Sequence, residues 1–76
     1  MPKEYEDLCL WMSLVGIPHF FSRKEEVVVA FIGTADFEIR ASHHIAPRYW
    51  IGHVSTSYDL PGAMKYLADL VEHEGN

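Results

Sequence analysis

The stretch "FEIRAS", residues 37–42, decides the fold. Phe37, Ile39 and Ala41 alternate with Glu38, Arg40 and Ser42, the period-two pattern of a strand with one apolar and one wet face. Outward on the N-terminal side, "GTAD" (33–36) supplies turn residues. Before it stands "VVVAFI" (27–32), β-branched and aromatic and too short for a helix of its own. On the C-terminal side "IAPR" (45–48) breaks the chain, and "YWIGHVS" (49–55) follows as a third strand. Short connections between these strands predict an antiparallel meander.

Helices flank this sheet. In "KEYEDLCLWMSLVG" (3–16), Tyr5, Leu8, Met12 and Val15 recur at three- and four-residue steps, the spacing of one helical face. Glu4, Glu6 and Asp7 sit at the positive end of its dipole, and Gly16 before Ile17-Pro18 ends it. "HFFSRKEE" (19–26) reads as a polar connection in which Phe20 and Phe21 turn inward. At the other end, Ser57 or Asp59 caps a helix with Pro61 in its first turn, where the missing N–H costs nothing. Leu60, Met64, Leu67 and Leu70 or Val71 make its apolar stripe. The expected architecture is α-β-β-β-α, an α+β two-layer domain with a three-stranded antiparallel sheet. Its expected core is Leu8, Met12, Val15, Val29, Phe31, Phe37, Ile39, Trp50, Val54, Leu60, Met64 and Leu67.

Seventy-six residues make one small domain, and a chain of that size buries only ~60% of its unfolded surface. A hydrophobic content of 49% suffices to fold it without a staple. The single cysteine, Cys9, leaves no partner for an internal disulfide and no thiolate cluster for zinc, which fits a reducing compartment. No apolar run reaches the ~20 residues of a membrane span, and "MPKEYED" lacks the pattern of a signal peptide. A cytoplasmic location is expected. Six basic residues against eleven acidic ones give a net charge of −5. Such a chain repels phosphate backbones, so direct nucleic-acid binding is not expected.

Three of the five histidines lie in "ASHHIAPRYWIGH" (41–53). Adjacent strand residues point to opposite faces, so only one of His43 and His44 can join His53 in a cross-strand pair. Zinc takes three or four protein ligands, and two imidazoles do not supply them. No metal or cofactor is expected. Cys9 falls in an apolar helix without a local base, the serines sit in no nucleophile elbow, and Gly33, Gly52 and Gly62 are isolated rather than part of a phosphate-binding loop. A non-enzymatic role follows.

Two features point instead to protein binding. On a helical wheel Leu10 and Leu14 fall opposite the apolar face, among Lys3, Glu6 and Asp7. They are either covered by the 16–24 segment or form a contact surface for a partner or for a second copy of the chain. Tyr49 and Trp50, as strand neighbours, present one ring inward and one outward, and aromatics with a polar handle are favoured interface anchors. The expected partner-binding set is Glu6, Asp7, Leu10, Leu14, Tyr49, Asp69 and Glu72, an apolar patch with an acidic rim.

Two resemblances accompany this reading. The run from "DFEIRAS" through "YWIGHVSTSYDLPGAMKYLADLVE" resembles the partner-binding domain of HicB-type antitoxins, with Ala63, Leu67 and Leu70 at that helix's core positions; here a helix precedes the strands. In size, charge and sheet-plus-helix plan the whole chain resembles small acidic phage-encoded anti-defence proteins, anti-CRISPR proteins among them. That resemblance implies a stoichiometric inhibitor of a nucleic-acid-handling host-defence complex, acting through carboxylates and exposed aromatics. The antitoxin resemblance implies a small regulatory partner protein instead.

Overall fold

The computed structural model describes residues 1–42 and 45–74. A 3-10 turn, Lys3–Tyr5, leads into helix α1, Glu6–Val15. Four strands follow, β1 His19–Ser22, β2 Val27–Ile32, β3 Ala35–Ala41 and β4 Tyr49–Ile51, and the chain closes with helix α2, Leu60–Glu74. The sheet is an antiparallel meander in the order β1-β2-β3-β4. The α+β plan stands, but the sheet has four strands and not three. The extra strand is β1, within the segment expected to be a connection.

Helix α1 ends and helix α2 begins where the sequence says. Gly16 takes a left-handed conformation (φ +83°), and the Ile17 N–H closes the α1 cap on the Met12 carbonyl at 2.8 Å. Of the two candidate caps for α2, Asp59 serves: its Oδ1 accepts the Gly62 N–H at 2.9 Å. Among the described residues no helix is long and apolar enough to cross a membrane.

Register sorts the strand residues between two faces. Val28 faces Ile39, which faces Ile51; Ala30 faces Phe37; Ala41 faces Tyr49. These residues point toward the helices and form one core with Tyr5, Leu8 and Met12 from the N-terminal segment and Ala63 and Leu67 from α2. Residues of the other parity, Phe20, Val29, Phe31, Asp36, Glu38, Arg40 and Trp50, point away from both helices. Val27 shares that parity yet is buried at the start of β2.

The expected core is therefore corrected at five positions. Val29 and Phe31 belong to the outer face, because a two-residue loop at Gly33-Thr34 sets Ile32 opposite Ala35 and so places Ala30 beside Phe37. Trp50 lies outward and Tyr49 inward, since Ala41 pairs with Tyr49. Val15 is exposed at the end of α1. Val54 is exposed because β4 stops at Ile51: the Gly52 N–H makes a last bond to the Glu38 carbonyl at 2.7 Å, and the chain then leaves the sheet.

The far edge of β4 is closed by a two-way backbone bridge between Tyr49 and Tyr58, 2.8 Å in each direction. Arg48 holds this loop, with Nε on the Ser57 hydroxyl at 3.1 Å and a terminal guanidinium nitrogen on the Ser57 carbonyl at 2.9 Å. Helices thus cover one side of the sheet, and the other side carries its side chains uncovered.

Candidate functional site

The uncovered face is built by alternation on three adjacent strands. Phe20 on β1 is the cross-strand partner of Val29 on β2, and Val29 in turn faces Glu38 on β3. One step along, Phe31 faces Asp36. The Phe20 and Phe31 rings stack at 5.9 Å between centroids, 25° from parallel. They remain 50% and 42% exposed. Burying an aromatic surface is the main apolar contribution a small domain can offer a partner, and this pair leaves about half of it open.

Carboxylates surround the rings. Asp36 and Glu38 flank them on β3, and Glu25, from the β1–β2 turn, lines the same shallow hollow. Glu38 raises the proton affinity of Glu25, through a hydrogen bond between the two carboxyl groups and through like charge. On its other side Glu38 meets the His53 imidazole at 3.5 Å. A second hollow lies there, lined by Arg40, Trp50, Gly52, His53 and Val54. The face thus runs from an acidic aromatic end to an end that carries the cationic Arg40.

The expected partner-binding residues fall in three places. Glu6, Asp7, Leu10 and Leu14 share the outward side of α1, where Leu10 is 61% and Leu14 77% exposed; the 16–24 segment does not cover them. Asp69 and Glu72 are exposed on α2, and Asp69 pairs with Lys65 at 3.6 Å. Both sets belong to the helical layer, opposite the uncovered sheet face. Tyr49 is a correction. It is 1% exposed, its ring is in the core, and its hydroxyl donates to the Glu4 carbonyl at 2.8 Å. It presents nothing to a partner, and Trp50 takes the outward position.

The sequence reading turns Phe20 inward and puts Phe31 in the core; both are corrected to the open face, and their carboxylate neighbours were not anticipated. The signal that finds them is the two-residue Gly33-Thr34 loop, which sets the parity of β2 against the clear alternation of β3.

His43 and His44 lie outside the described residues. Among the described residues no three His, Cys, Asp or Glu side chains gather where a metal ion would be held. Cys9 is buried, its thiol 3.6 Å from the Met1 sulfur, and burial raises its pKa, which keeps it protonated.

Comparison with protein-family models, with characterised proteins and with solved structures gives no match.

Proposed function

We propose that the chain is a non-enzymatic protein-binding module that docks its uncovered sheet face on a basic surface of another protein. One observation carries this reading: helices cover only one side of the four-stranded sheet, and the other side carries a stacked, half-exposed Phe20–Phe31 pair. Exposed contiguous apolar area marks an interaction site. The rings supply desolvation energy, and Glu25, Asp36 and Glu38 speed and orient the encounter with a positive surface.

Sheet-borne aromatics also stack nucleic-acid bases in other proteins. Here the strand's phosphates would meet three carboxylates on a chain of net charge −5, so a protein partner fits better. Within that reading, the class resemblance to phage anti-defence proteins suggests a stoichiometric inhibitor that occupies the basic groove of a nucleic-acid-handling complex. A small regulatory partner of the antitoxin kind would use the same face.

The test is reconstitution. Affinity capture with the wild-type chain identifies a partner, and mixing the purified components gives a complex of fixed stoichiometry. The variant Phe20→Thr/Phe31→Thr weakens that complex at least about tenfold, equivalent to ~1.4 kcal/mol, while its circular dichroism stays that of the folded chain. A complex indifferent to this substitution removes the sheet face from the function.

The exposure of Leu10 and Leu14 supports a second contact strip on α1, flanked by Glu6 and Asp7, with Asp69 and Glu72 adding acidic charge to the same helical layer. A second copy of the chain is its simplest occupant, since the leucine pair can meet itself about a two-fold axis.

A further inference from the structure

We infer that the acidic end of the uncovered sheet face is a seat for an arginine side chain of the partner. This rests on the sheet-face reading above and names the chemistry of its occupant. Three features meet there. The first is the Phe20–Phe31 stack, which offers half-exposed ring surface to the hollow; a guanidinium lying over an aromatic face within ~6 Å of its centroid is attracted by the ring quadrupole.

The second is charge. Glu25, Asp36 and Glu38 line this hollow together with Ser22, and no cationic side chain does. The cation of the outer face, Arg40, lies on the other side of Glu38: it shares one hollow with Glu25 and Glu38 and a second with Trp50 and His53, and it does not reach the ring-lined one. A partner cation entering from the ring side therefore meets Asp36 and the near sides of Glu25 and Glu38.

The third is the contact between Glu25 and Glu38. Both carboxyl groups line the one hollow, and their proximity raises the proton affinity of Glu25. A guanidinium between them relieves that like-charge contact and offers N–H donors to each carboxylate. Arginine suits the site better than lysine, because its planar fork both stacks and pairs bidentately, whereas an ammonium is a strongly hydrated point charge.

The test uses the full chain, 15N-labelled, and three blocked pentapeptides: Gly-Arg-Gly-Arg-Gly, its lysine counterpart and its citrulline counterpart, which keeps the shape of arginine without the charge. The arginine peptide is expected to shift the amides of Phe20, Val29, Phe31 and Glu38 at millimolar concentration. Citrulline should bind about tenfold more weakly, lysine should fall between, and Glu25→Gln/Glu38→Gln should remove the preference for arginine over citrulline. Equal shifts from arginine and citrulline peptides, or shifts confined to other residues, overturn the inference. So does tighter binding of an oligothymidylate to these same amides, which gives the face to nucleic acid. If the arginine peptide fails while Phe20→Thr/Phe31→Thr still weakens the reconstituted complex, the arginine seat falls and the sheet-face reading stands; if both fail, both fall.

Discussion

Tyr5 uses one hydroxyl twice: it donates to the Glu26 carbonyl at 3.1 Å and accepts the Ala41 N–H at 2.9 Å. Glu26 is the one non-glycine residue with positive φ among the described residues (+56°), a conformation that costs an L-residue energy, so this bond helps hold a strained turn. Tyr49 donates to the Glu4 carbonyl. Both phenols are held above the ordinary tyrosine pKa, chiefly by burial. The sign follows from linkage. Above about pH 10 the unfolded chain releases these protons while the folded chain retains them, so the unfolded state binds fewer protons and stability falls as pH rises. Urea unfolding should show that loss above about pH 10, and Tyr5→Phe/Tyr49→Phe should flatten it. At neutral pH Tyr5→Phe alone should cost about 1 kcal/mol, because the part-buried Ala41 N–H loses its acceptor. An unchanged alkaline slope in the double variant would assign the loss to other groups.

Helix α2 is the element whose parts are easiest to separate. Asp59→Ala removes the cap on Gly62 and should cost about 1 kcal/mol. Leu67→Ala, at a fully buried position, should cost about 2–5 kcal/mol. Denaturant midpoints at constant slope distinguish the two, and equal effects would mean that Leu67 packs less tightly than its burial implies. The helices were legible because their signals are local: Gly16 and Asp59 with Pro61 bracket them, and three- and four-residue spacing marks their faces. The strand β3 was legible because Phe37, Ile39 and Ala41 alternate with polar residues. The phase of β2 was not, since "VVVAFI" is apolar throughout and either parity satisfies its hydrophobicity; only pairing across Gly33-Thr34 decides it. The strand β1 was hidden by its turn, which reverses at Glu26 without the Gly or Asn that normally announces a left-handed residue. The sheet-face site lay behind both omissions, because Phe20 comes from the missed strand and Phe31 from the misphased one. The leucines of α1 were legible because a helical wheel needs no partner element.

At the scale of the molecule, the two sides of the domain differ in what they can lose. Leu10 and Leu14 bury little, so Leu10→Asp/Leu14→Asp should leave folding stability within about 0.5 kcal/mol of wild type. Light scattering on the same pair tests the second contact strip. A wild-type dimer that the double variant dissociates establishes self-association through α1, and a wild-type monomer leaves the ridge free for a different protein. Unfolding of the variant would instead return the leucines to the core and dissolve the ridge.

The bonds made by Tyr5 and Tyr49 have a consequence for the order in which the domain closes. They tie its first turn to partners 36 and 45 residues further along, and Gly33, in the β2–β3 turn, sits so close to Glu74 that an added Cβ would lie 2.8 Å from that side chain. Each such closure costs loop entropy before its own contact repays it. The contacts of widest sequence separation are therefore expected to form late in folding, after the local strand pairings of the meander.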